Sequence, residues 1–267
     1  MAWQSTNVVV NGARVHYLRS GGSGPPLLLL HGFSDSGGCW SRVAHDLEDS
    51  YDVVMPDARG HGRSERAGGP VDAAQRVADA AGLITALRLH RPAVAGHSMG
   101  AMTAAALEVA HPELVGCLVL EDPAWREPQP AQPAGPGRWD YLRRCQEMPL
   151  EQVPDYCHEL HPTWAPAEVE PWVEAKRQFD LTLLDGPMPE SPPWRETAAS
   201  IGCPTLLVTG DPELGAIVTE DVAAEAAALS GCRVEHIAAA GHNIRREQYG
   251  RYHIALLGFL HAEYPPQ

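Results

Sequence analysis

The feature that most constrains this chain is a rhythm of short apolar runs alternating with segments of helical spacing. Pro26 to Leu30, Tyr51 to Met55, Ala93 to Ala95, Val115 to Leu120, Thr205 to Thr209 and Arg233 to Ile237 read as strands. Continuous apolar runs of this length are what a strand buried on both faces requires. Between them lie helical segments. Ala73 to Leu89 carries Val77, Ala80, Ala81, Ile84 and Leu87 at helical spacing, and Met99 to Ala110 is rich in alanine and stops at His111-Pro112. Asp221 to Ser230 and Gln248 to Leu260 complete the set. Helices between strands imply crossovers, hence a mostly parallel sheet with helices on both faces. Two earlier strands, Thr6 to Val10 and Arg14 to Leu18, flank Asn11-Gly12. That dipeptide favours the positive φ angles of a tight hairpin, so one edge of the sheet is expected to be antiparallel. The expected class is α/β, with eight strands.

The rhythm breaks from Pro123 to about Ser200. This stretch is dense in proline and holds Trp125, Trp139, Trp164, Trp172 and Trp194, five of the seven tryptophans. It reads as an insertion over one end of the sheet. The expected organisation is residues 1–122 and 201–267 as two parts of one core domain, with 123–200 inserted between them. A chain of 267 residues is long enough to bury such a core. Its formal charge of −14 repels phosphate backbones and anionic lipid, which argues against a nucleic-acid or membrane-surface role. The six cysteines show no C-x-x-C spacing, which fits reduced thiols and a cytoplasmic setting. The N-terminus has no basic stretch followed by an apolar one, so no signal peptide is expected. A small-molecule substrate and a monomer or homodimer are the expected partners and state.

Gly96-His97-Ser98-Met99-Gly100 carries the chemistry. It sits between a strand and a helix, on a turn so sharp that side chains two positions either side of the serine would collide across it. The strain pushes the hydroxyl out above the sheet and aims the N-terminus of the next helix at it. A serine hydroxyl is un-ionised at neutral pH and needs a base to take its proton.

The chain resembles the α/β-hydrolase family over nearly its whole length. His31-Gly32-Phe33, Asp57-Ala58-Arg59-Gly60-His61-Gly62-Arg63-Ser64, Gly96 to Gly100, and Ala240-Gly241-His242-Asn243 match four of its elements in order. The resemblance implies Ser98 as nucleophile and His242 as its base. The triad acid is expected after the Thr205 to Thr209 strand. Family spacing points to Glu213, whereas residue type and shorter reach favour Asp211. Glu121 and Asp122 are a third option, though one is expected in solvent and the other holding a loop. The amides of Phe33 and Met99 are the expected oxyanion donors. His31 and His61 are expected to brace loops together with Asp57 and Arg59, and His97 to point away from the reaction.

By the same resemblance the insertion is a helical cap that shapes substrate choice. Its aromatic residues, Tyr141 and Tyr156 included, suit either the cap's own core or an apolar pocket, with Trp125 and Trp172 as the expected substrate contacts. The implied activity is hydrolysis of hydrophobic carboxylic esters or lactones through an acyl-enzyme. A C–C bond hydrolase or a perhydrolase would use the same triad, and a non-catalytic small-ligand receptor is the alternative from another class. Dehalogenases and epoxide hydrolases of this family attack with Asp at the elbow, where this chain has Ser98. Neither H-E-x-x-H nor G-x-G-x-x-G is present, so no metal or organic cofactor is expected.

Overall fold

The computed structural model describes residues 3–126, 137, 139–185 and 193–266. The chain opens with β1 (Gln4–Val10) and β2 (Ala13–Arg19), paired antiparallel with Val10 opposite Ala13. Asn11 and Gly12 both take positive φ, 48° and 76°, as the hairpin turn demands. Then follow β3 (Pro26–Leu30), α1 (Ser41–Leu47), β4 (Asp52–Pro56), α2 (Ala73–Ala86), β5 (Ala93–His97), α3 (Met99–Ala110) and β6 (Cys117–Glu121). Between β6 and β7 lie α4 (Asp140–Glu147), α5 (Val153–Leu160), α6 (Pro166–Gln178) and α7 (Trp194–Ser200), the last of which buries Trp194 and Ala198 in the same core as α3 and α8. The chain returns through β7 (Thr205–Thr209), α8 (Glu220–Ser230), β8 (Arg233–His236), α9 (Ile244–Glu247) and α10 (Tyr249–Glu263).

The eight strands form one sheet in the order β1-β2-β4-β3-β5-β6-β7-β8. From β4 to β8 every pairing is parallel, and β1 and β2 make the expected antiparallel edge. Alternation along each central strand divides the interior in two. Leu28, Leu30, Val54, Val94, Leu118, Leu120 and Leu207 face α2, α3 and α8. Leu27, Leu29, Val53, Met55, Ala95, Val119, Leu206 and Val208 face α1 and α10. This double burial is the reason the central strands read as unbroken apolar runs.

Three strand or helix spans come out as expected to the residue: β3, α3 and β7. The α2 helix stops at Ala86 rather than continuing to Leu89, because the chain turns through Arg88 at φ 53°. Sequence periodicity did not reveal α1 or the helices α4 to α7. Helices α4 to α6 bury a small core of their own, with Cys145, Val153, Cys157, Trp164, Val169, Trp172 and Val173 packed together. The part of the insertion at 127–136, 138 and 186–192 lies outside the described residues. All six cysteines are free, and five are buried. No helix among the described residues is long and apolar enough to cross a membrane.

The inserted helices are tied to the core by a buried cluster of charge. Lys176 on α6 donates to Asp35 Oδ1 at 2.7 Å and to the Ser34 carbonyl at 2.9 Å. Arg246 Nη2 lies 3.1 Å from the other oxygen of Asp35, and its Nε lies 3.5 Å from Glu168. Arg245 bonds Glu121 at 2.9 Å. Burial opposes the charged form of Asp35, but Arg246, Lys176 and Arg245 outweigh it and hold its pKa well below the usual carboxylate value.

Candidate active site

Ser98 follows β5 directly and precedes α3, at φ 52° and ψ −112°. A non-glycine residue held there carries strain of about 1–3 kcal/mol, which the surrounding hydrogen bonds must offset. Its amide donates to the Glu121 carbonyl at 3.0 Å, and its own carbonyl accepts from Met102 N at 3.0 Å. The two flanking glycines are required by contact. A Cβ at Gly96 would lie 2.4 Å from the Gly100 carbonyl carbon, and one at Gly100 would lie 2.1 Å from the Leu30 carbonyl oxygen.

His242 lies on the loop between β8 and α9, with its side chain 30% exposed. Its Nδ1 is 2.6 Å from Asp122 Oδ2. Asp122 is completely buried at the end of β6, with φ 41°. Its Oδ1 accepts from the amides of Val218 (2.9 Å) and Ile217 (3.1 Å), and its Oδ2 also accepts from Ile217 N at 2.9 Å. The carboxylate is thus held in one orientation by backbone and faces the imidazole with its remaining acceptor. That bond sets the tautomer: Nδ1 carries the proton, and Nε2 is left to accept one.

Asp211 and Glu213, the expected acids, are not brought to His242. Asp211 Oδ2 accepts from Ala239 N at 2.7 Å, and Oδ1 pairs with His236 Nε2 at 3.0 Å, so it braces the loop that carries His242. Glu213 is exposed on a short turn, Pro212–Leu214. The expectation for Glu121 and Asp122 also needs correcting, since neither is in solvent. Glu121 is fully buried against Arg245, and burial pushes its pKa up in spite of that guanidinium. The local signal for Asp122 is a carboxylate directly after the apolar run of β6. Its meaning depends on β6 lying beside β5 in the sheet, which no local pattern reports.

His97 does not point away. Its ring packs on that of His242 with centroids 4.7 Å apart, and its Nε2 donates to the His242 carbonyl at 2.8 Å. Burial, with Arg245 adding to it, lowers the His97 pKa well below 6.5, so the ring is neutral. His97 therefore steadies the loop of His242. His31 and His61 brace loops as expected. His31 Nδ1 donates to the Gly32 carbonyl while Nε2 accepts from Ala58 N, and His61 Nδ1 donates to the Arg59 carbonyl. Asp57 instead serves a separate set, accepting from His16, Gly37 N and Arg63 N.

Ser98 and His242 line one cavity of about 720 Å³. Phe33, His97 and Met99 line it too, as do Trp139, Tyr141, Trp164 and Trp172 from the inserted segment. The Met99 amide opens α3, where an N–H has no carbonyl one turn back. The Phe33 ring packs edge-on against Phe179 and His61. Trp125 is not part of the wall. It is 1% exposed, stacked on Trp194 with centroids 5.9 Å apart, in the core beneath the sheet. Trp172 does reach the wall, although most of its ring belongs to the inserted segment's own core. Tyr156 lies outside the wall, beneath the Arg144 guanidinium. No cluster of potential metal ligands occurs among the described residues.

This strand order, the elbow and the histidine loop are those of an α/β hydrolase. The model of the alpha/beta hydrolase fold family matches residues 25–245, and the chain belongs to that family. It is 39% identical over 111 residues to lipase LipV of Mycobacterium tuberculosis, a match covering 41% of this chain and 42% of the lipase. It is 38% identical over 107 residues to a fluoroacetate dehalogenase of a Burkholderia species, covering 38% of this chain and 35% of that enzyme. The matches thus span well under half of these curated relatives. Among solved structures, an N-formylmaleamic acid deformylase from Pseudomonas putida superposes with a TM-score of 0.77 at 24% identity, covering 95% of this chain and all of that one. At that identity the likeness is one of fold.

Proposed function

We propose that this hydrolase cleaves carboxylic esters or lactones through an acyl-enzyme on Ser98. The observation that carries the reading is the 2.6 Å contact between His242 and the buried Asp122, on a cavity that Ser98 shares. Ser98 attacks the carbonyl as His242 Nε2 takes its proton, and Asp122 stabilises the imidazolium that forms. The amides of Phe33 and Met99 hold the oxyanion. His242 returns the proton to the leaving oxygen, and water then repeats the sequence on the acyl-enzyme. Helices α4 to α6 act as a cap over the cavity and select the substrate, whereas Trp125 and α7 at the two ends of the expected insertion pack in the core.

The relatives include enzymes named for carbon–halogen and epoxide chemistry. Ser98 disfavours that route here. Alkylation of a serine would leave an ether that water does not cleave, whereas acylation leaves an ester that it does. The test is labelling with a fluorophosphonate probe, together with a panel of aryl esters and lactones. The expected result is stoichiometric labelling that Ser98→Ala abolishes, with turnover of at least one member. Absence of both labelling and turnover, with tight binding of a small ligand, would make the chain a receptor instead.

A further inference from the structure

The chain carries a large negative charge, yet its catalytic cavity is lined by Arg59, Arg76, Arg126, Lys176 and Arg246 against one carboxylate, Asp35. Most of these cations are already matched. Arg59 forms a two-pronged pair with Asp79 at 3.0 and 3.1 Å, and Lys176 and Arg246 share Asp35. Arg76 is different. It rises from the first turn of α2, and its Nη1 donates to the Val71 carbonyl at 2.6 Å. It makes no ion pair among the described residues, and its buried Nε has no acceptor. Burial lowers its pKa by more than the nearby Asp72, whose carboxylate caps α2 through Gln75 N, raises it.

Its location gives the missing charge a place. Arg76 lines the large cavity with Ala58, Arg59 and Met99; these four also border a small cavity of about 60 Å³, but that one carries the Asp57 and Asp79 carboxylates, so the large cavity is the side open to an anion. Along the sheet, the loop after β4 that carries Ala58 and Arg59 lies on one side of β5 and its Ser98. The loop after β8 that carries His242 lies on the other. His242 must reach the leaving oxygen, so the alcohol portion of an ester lies toward β8. The acyl portion then extends toward β4 and Arg76.

We propose that Arg76 binds a carboxylate on the acyl side of the substrate, so that the preferred substrates are monoesters of dicarboxylic acids rather than neutral esters. This inference rests on Ser98 being the acylated nucleophile. The cation is pre-placed and partly desolvated, and a charge-assisted bond in such a site is worth about ten- to a hundredfold in kcat/KM.

The test compares mono-p-nitrophenyl adipate with p-nitrophenyl hexanoate, equal in acyl length, on the full chain. The expected result is a preference for the adipate of about tenfold or more, falling as salt is raised. Arg76→Gln should collapse that ratio toward one, and Arg76→Lys should restore part of it. Equal rates for the two esters in the unmodified protein, or a preference that survives Arg76→Gln in a folded variant, would overturn the proposal. Fluorophosphonate labelling of Ser98 in the same preparation separates the two levels. Labelling without the adipate preference refutes the carboxylate site alone, whereas no labelling and no hydrolysis of either ester refutes the acyl-enzyme as well.

Discussion

Replacing Asp122 by Asn changes one atom of a fully buried side chain and inverts a hydrogen bond. The amides of Ile217 and Val218 are donors, so they retain the single remaining oxygen as their acceptor. The new NH₂ then faces His242 Nδ1 at the position where Oδ2 now lies 2.6 Å away. A donor there makes Nδ1 an acceptor and moves the ring proton to Nε2, where it blocks acceptance of the serine proton. The substitution also removes the negative charge beside the imidazolium formed during attack. Two unit charges about 4 Å apart at an effective dielectric near 20 interact by roughly 4 kcal/mol, or about a thousandfold in rate. With the wrong tautomer added, kcat on an activated ester should fall by about 10³ to 10⁴. KM should change little, since Asp122 does not line the cavity. The assay is steady-state hydrolysis of a p-nitrophenyl ester by Asp122→Asn, Asp211→Asn and Glu213→Gln, with unfolding by urea as the control for folding. Asp211→Asn should lose about 1 kcal/mol of stability through its bonds to Ala239 and His236, with kcat within a few fold. Loss of activity in Asp211→Asn with retention in Asp122→Asn would refute the reasoning.

Gly100→Ala places a Cβ 2.1 Å from the Leu30 carbonyl oxygen and 2.8 Å from that of His31, neither of which can yield without moving β3. It should cost about 2 kcal/mol or more in urea unfolding, and a neutral result would show the elbow to be looser than described. Stability should fall as pH drops from about 7 to 5. Burial, with the neighbouring His31 adding to it, depresses the pKa of His61 to about 3. The unfolded chain therefore takes up a proton near pH 6.5 that the folded chain refuses. That one residue accounts for about 2 kcal/mol over the interval, and His31 and His97 act in the same direction. An unfolding midpoint that stays flat across this range would contradict it. Lys176→Met leaves Asp35 buried with only the more distant guanidinium groups at 3.1 and 3.7 Å, and should cost about 3 kcal/mol in the same assay. A loss under about 1 kcal/mol would mean that Lys176 does not clamp the inserted helices to the core.

The layered core, the hairpin edge and the elbow were legible in the residues because each depends on near neighbours. A strand buried on both faces must be apolar throughout, and β3 and β7 declare themselves that way. The turn at Ser98 excludes a side chain at Gly96 because it would meet Gly100 and Ala101, a restriction contained within six residues, whereas the one at Gly100 comes from β3. The helices between β6 and β7 were not legible: α4, α5 and α7 are short, and α6 carries a proline inside it and buries Trp172 against α5 rather than against the sheet. The partner of His242 lay further from reach. Asp211 sits where spacing along the chain suggests an acid, but its carboxylate turns to Ala239 and His236. Asp122 arrives instead because β6 lies next to β5, which places a residue 120 positions away within 2.6 Å of the imidazole. The same holds for His97 against His242 and for the place of Arg76 on the cavity wall. Which side chain meets which across a sheet is set by strand order and loop path, and these emerge only when the whole chain has packed.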